Sequence, residues 1–88
     1  MELISVDDVI FFQADQEYIT VRHRNGELLM EDALENLETE FKERFICIRR
    51  NALANIAHIS GIGKSRDARF LMVFKGIRDR LGIGRPQV

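Results

Sequence analysis

Phe45-Ile46-Cys47-Ile48-Arg49-Arg50-Asn51-Ala52-Leu53-Ala54-Asn55 is the stretch around which the chain is organised. It opens as an apolar run rich in β-branched residues, which reads as a short buried strand. Two arginines and an asparagine follow, and the chain returns to Ala and Leu before a second asparagine. A strand that ends in an arginine pair holds two cationic forks at a fixed place on the surface. Such forks suit phosphates and the guanine edge in the major groove.

Upstream, Glu2–Val6 reads as extended and Asp7-Asp8 as a turn. Val9-Ile10-Phe11-Phe12 is continuously apolar, a strand buried on both sides, and Ala14–Glu17 reads as a loop. Tyr18–Arg24 alternates, with Ile19, Val21 and His23 on one face and Tyr18, Thr20, Arg22 and Arg24 on the other. Asn25-Gly26 is a strong hairpin signal, and Glu27–Met30 is the returning strand. The period then changes. Ala33, Leu34, Leu37 and Phe41 are spaced for one face of a helix of about three turns, near residues 31–44. Its outer face carries Glu35, Glu38 and Glu43. Glutamates facing phosphates would repel them, so a helix-turn-helix reader is excluded.

Downstream, Ile56–Ile59 reads as a strand, and Gly61, Gly63 and Lys64–Asp67 as a loop. Arg69–Phe74 and Ile77–Ile83 read as further strands, with Asp79 out of place on an apolar face. The fold class is therefore mainly β, with antiparallel strands, hairpins and one short amphipathic helix.

Eighty-eight residues suffice for one domain, 1–88. A chain this short buries only about 60% of its unfolded surface, so modest stability is expected. The single cysteine, Cys47, excludes an internal disulfide and fits a reducing cytoplasm. No run approaches the roughly 20 apolar residues of a membrane span, and the N-terminus lacks the pattern of an export signal. The net charge of −1 conceals an asymmetry. Residues 1–43 carry 3 bases against 12 acids, and residues 44–88 carry 10 bases against 2 acids. Eight of those 10 bases are arginine, which favours directed, bidentate contacts. Two readings stay open from charge alone. One half is applied to a polyanion while the other is held off it, or the two halves pair with each other.

Metal binding needs clustered ligands. Cys47, His23 and His58 are widely separated, so Cys47 reads as a buried small hydrophobe and the histidines as strand residues. No base accompanies Cys47 for nucleophilic chemistry. Gly61-Ile62-Gly63-Lys64-Ser65 lacks the spacing of a phosphate-binding loop. No catalytic residue, metal or cofactor is expected. What remains is the basic set: Arg49 and Arg50 after the strand, Lys64, Arg66 and Arg69 around one loop, and Arg85 near the end. Tyr18 joins them at a loop boundary. This composition suits phosphate contacts with a few base-edge contacts.

These residues resemble the LytTR DNA-binding domain of LytR/AlgR-type bacterial response regulators. Phe45–Asn55 is similar to the family's Phe, hydrophobic strand, His-Arg-Ser, apolar, Val-Asn run. Leu81–Arg85 resembles its closing Leu, any residue, Val-Ser-Arg-Arg. The resemblance implies a mainly β fold that reads DNA with loops in successive major grooves. It implies base reading by Tyr18, Arg50 and Arg85, with Arg49 and Asn51 assisting at phosphates. It also implies a homodimer on paired promoter repeats of double-stranded DNA. The sequence departs from the pattern at Arg49 for His, Asn51 for Ser, Gly84 for Ser and Pro86 for Arg. No receiver domain is expected within these residues. The alternative is a LytTR-like protein-interaction module that sequesters a regulator without reading DNA.

Overall fold

The computed structural model describes residues 5–83. Five strands, β1 (Val9–Asp15), β2 (Tyr18–His23), β3 (Gly26–Met30), β4 (Phe45–Arg49) and β5 (Ala52–Asn55), form an antiparallel sheet in the order β3-β2-β1-β5-β4. Three more, β6 (Ile59–Lys64), β7 (Phe70–Phe74) and β8 (Arg80–Gly82), form a second antiparallel sheet in that order. The helix α1 (Leu34–Glu40) connects β3 to β4.

The larger sheet is the middle of three layers. On one side Phe12, Ile19, Val21, Phe45 and Leu53 pack with Leu37 of α1. On the other side Ile10, Phe11, Ile48, Ala52 and Ala54 pack with Met72, Phe74 and Leu81 of the second sheet. Every residue of β5 is buried, because layers cover both its faces. Its alanines face the second sheet and allow the two sheets to approach, while Leu53 fills the helix side. Between them the layers remove far more apolar surface from water than either sheet could alone.

Two β-bulges shape this sheet. The first interrupts the β1–β2 register between Val9 and Phe11. It turns both Ile10 and Phe11 toward the second sheet, where the Phe11 and Phe74 rings lie 5.3 Å apart. The apolar run at 9–12 is therefore buried on both sides, as its pattern predicts. The second bulge lies between Cys47 and Arg49. It places Arg49 opposite Ala52, and so on the face of the second sheet, beside Ile48.

Asn55 ties the layers together from a nearly fully buried position. Its amide nitrogen donates to Val9 O at 2.7 Å, and its oxygen accepts from Ala57 N at 2.9 Å. Asn55→Ala is expected to cost about 1–3 kcal/mol, since buried backbone partners lose their bonds. Urea unfolding of the variant checks this, and a change below the fitting error would dismiss the bond as a structural tie.

Several local expectations are corrected. β1 runs on through Asp15, and only Gln16-Glu17 turn, because Ala14 and Asp15 pair with Ile19 and Tyr18. The following hairpin turns at Arg24-Asn25, with Gly26 at φ +150° where a side chain would be strained. The helix spans seven residues and gives way to hydrogen-bonded turns at 41–44. Ile56–His58 is a single 3-10 turn, so His58 is not a strand residue; its Nε2 meets Asp7 O at 2.6 Å. Gly61 and Gly63 lie inside β6, not in a loop, paired with Val73 and Leu71. The last strand is only three residues long. Asp79 precedes it and pairs with Arg22 at 3.4 Å, which removes the apparent misplacement. Cys47 is exposed, not buried, and lies on the edge strand β4; its thiol donates to Arg49 O at 3.0 Å. Glu2–Ile4 and 84–88, including Arg85, lie outside the described residues.

Candidate nucleic-acid interface

The turn Arg50-Asn51 joins β4 to β5 and stands at one end of the larger sheet. Its position is set from the neighbouring strand. Ala14 N donates to Asn51 O at 2.8 Å, and Asn51 Nδ2 donates to Ala14 O at 3.2 Å. One residue further along β1, Asp15 pairs with Tyr18. Tyr18 and the arginine turn are therefore brought to the same end by strand register. Asn51 acts here as a clasp between two turns, with no bond to its side-chain oxygen among the described residues. Arg50 is exposed, and Tyr18 is 44% exposed.

The second sheet ends at the same place. A Cβ on Gly82 would lie 3.5 Å from Arg49 Nη1, which fixes Arg49 beside β8. Ile83 N donates to Phe70 O at 3.0 Å, and Phe70 pairs with Lys64. The 65–69 loop therefore projects at the Arg49 end, carrying Lys64 and Arg66 with it. This loop is held from within. Ser65 N donates to Arg69 O at 2.8 Å, Arg69 N donates to Ser65 Oγ at 3.2 Å, and the Ser65 hydroxyl donates to Asp67. That hydroxyl, then backbone N–H donation and Arg69, hold the Asp67 carboxyl below its ordinary value, so it is ionised at neutral pH. Asp67 in turn pairs with Arg69 at 3.3 Å.

The ion pairs sort the cations. Arg22, Arg24, Arg44 and Arg69 are matched to Asp79, Asp8, Asp7 and Asp67. Among the described residues, Lys42, Arg49, Arg50, Lys64, Arg66, Lys75, Arg78 and Arg80 have no carboxylate partner; of these, Arg49, Arg50, Lys64 and Arg66 belong to the end described above. Arg49 is partly buried, and its Nε lacks any hydrogen-bond partner there. The reading in which the halves pair with each other holds in part, since two of these pairs cross between them. Sequence reasoning missed Phe70, 48% exposed at this end with the Lys64 ammonium 5.8 Å from its ring centre. Its alternation with Met72 and Phe74 gave the signal of a core position, but Phe70 opens the strand and is exposed where Met72 and Phe74 are buried.

Among the described residues there is no group of three or more potential metal ligands. Nor is any helix long and apolar enough to cross a membrane.

The family model of the LytTr DNA-binding domain matches residues 1–88. The chain belongs to this family. A LytTr domain binds DNA, and the arrangement above is that of a rigid β scaffold presenting loops. The chain is 42% identical to the positive alginate biosynthesis regulatory protein of Pseudomonas aeruginosa; the match covers 100% of this chain and 36% of that protein. The chain thus spans about a third of the length of that relative. Its fold is similar to the solved LytTr DNA-binding domain of a putative methyl-accepting/DNA response regulator from Bacillus cereus. The TM-score is 0.78 at 20% identity, over 91% of this chain and 73% of that one. For this LytTr domain the mainly antiparallel two-sheet fold with one short helix agrees with the architecture expected from sequence.

Proposed function

We propose that this LytTr domain reads specific double-stranded DNA for a bacterial transcription regulator, with its loops in the major groove. The carrying observation is the meeting of Tyr18, the Arg50-Asn51 turn and the 65–69 loop at one end, where Arg50, Lys64 and Arg66 have no ion-pair partner among the described residues. Cations left unmatched on a folded surface lower their energy most beside a dense line of phosphates. Arg50, exposed and planar, selects a base, and Tyr18 reads beside it from the neighbouring turn. Arg49, Lys64 and Arg66 contact phosphates, while Asn51 holds the turn and offers its side-chain oxygen. Arg85 is the third base reader by its position in the family motif. Two copies act together on paired promoter repeats.

Selection from a pool of random duplexes across a salt series tests this reading. Enrichment of a repeated motif with a steep salt dependence supports it, whereas weak binding without a motif returns the chain to the role of a protein-interaction module. Lys64→Ala is expected to flatten the log-affinity against log-salt slope by about 0.9, on motif and random duplexes alike. An unchanged slope would remove Lys64 from the phosphate contacts.

A further inference from the structure

The helix covers only part of its side of the larger sheet. α1 packs mainly over β1, β5 and β4, and the β2–β3 side lies beyond it. There Phe12, Val21, Leu28, Met30, Leu37 and Phe41 line an open groove of about 370 Å³, bordered by Asp32 and Glu40. Leu28 and Met30 are only partly buried, so apolar surface stays in contact with water. The helix that borders the groove is acidic: Glu35, Glu38 and Glu40 are exposed, and none makes an ion pair among the described residues. Donation from the Asn36 side chain, then from Ala33 N, holds Asp32 below its ordinary carboxyl value and keeps it charged.

We infer that this groove docks a protein segment of basic amphipathic character, with apolar side chains seated in the groove and Lys or Arg on the carboxylate rim. The mode is that of an amphipathic segment laid into a groove, in which the apolar contacts supply binding and the rim charges supply selection. The same charges oppose the other occupants. A nucleic acid would be repelled, and a second copy presenting this face would bring like charges together. The groove lies on the helix side of the sheet, whereas Arg49 lies on the side of the second sheet. DNA and the partner segment can therefore be bound at once, which suits a regulator that must touch both its operator and a basic surface of another protein.

The test uses the whole chain without DNA and three peptides of about four helical turns. One carries leucines on one face and lysines elsewhere, the second has glutamate for each lysine, and the third has serine for each leucine. The expected result is saturable binding of the Leu/Lys peptide alone, with methyl NMR shifts centred on Val21, Leu28, Met30 and Leu37. Glu40→Lys is expected to weaken it by about three- to tenfold, as one exposed attraction becomes a repulsion, with DNA affinity not reduced. Equal binding of the Leu/Glu or the Ser/Lys peptide would overturn the proposal, as would shifts elsewhere or no saturable binding. Concentration-dependent shifts of the same methyls without peptide would overturn it in favour of self-association. Because Glu40 is exposed, its variant retains the fold; a proton spectrum of that variant verifies this directly.

Discussion

Arg50→Ala is expected to weaken binding to the selected DNA site by about 1–3 kcal/mol, and binding to random duplex by less. The asymmetry follows from geometry. Arg50 stands in a two-residue turn whose backbone is bonded to Ala14, so its Cα is held by the sheet and only its side chain is free to search. A guanidinium on such a base meets guanine O6 and N7 with two parallel bonds, and no other base edge offers the same pair of acceptors. On a random duplex it contributes one charge among several. Arg50→Lys keeps the charge and loses the fork, so most of the specific loss should persist. Arg66→Ala is the contrasting case, with similar losses on both duplexes expected from a phosphate contact. Titrations at one fixed salt concentration distinguish these outcomes. Equal losses for Arg50→Ala on selected and random duplexes would make Arg50 a phosphate clamp.

Leu53→Ala is expected to destabilise the domain by about 2–5 kcal/mol. Leu53 has no exposed surface and lies in the cluster that joins the larger sheet to Leu37 of the helix. Around it Phe12, Phe41 and Phe45 form a set of ring contacts, with the Phe12 and Phe45 centroids 5.0 Å apart. Bulky rings cannot collapse into the space a leucine leaves, so the cavity should persist. A domain of this size has roughly 4–13 kcal/mol in total, so the loss is a large share. The urea midpoint should fall with little change in slope. DNA binding should fail at temperatures where the wild-type domain still holds, because β5 follows directly on Asn51 and positions the arginine turn. A loss below about 1 kcal/mol would mean that the core around Leu53 repacks.

Much of this was legible from local pattern. Alternation at 18–23 and 70–74, the hairpin near Asn25-Gly26 and the helical spacing of Leu34 and Leu37 each depend on residues only a few positions apart. The gathering of arginine in the second half, and the Phe45–Asn55 motif that carries the family resemblance, are likewise properties of the chain itself. Local reasoning failed where pairing partners are distant. Gly61 and Gly63 read as loop residues because glycine is poor in strands, yet pairing with Val73 and Leu71 overrides that preference. Cys47 read as buried because its neighbours are isoleucines, yet it is exposed on an edge strand.

The sequence alone therefore determined the class of fold, the family and the inventory of cations. Tertiary structure decided which of those cations remain unmatched. Arg22 was drawn to Asp79 and Arg44 to Asp7 across separations of 57 and 37 residues. The bulge in β4 turned Arg49 toward Gly82, and strand register brought Tyr18 beside the Arg50-Asn51 turn. Each of these is a contact between residues far apart in the chain, set by how the layers close on one another, and no short-range pattern encodes it.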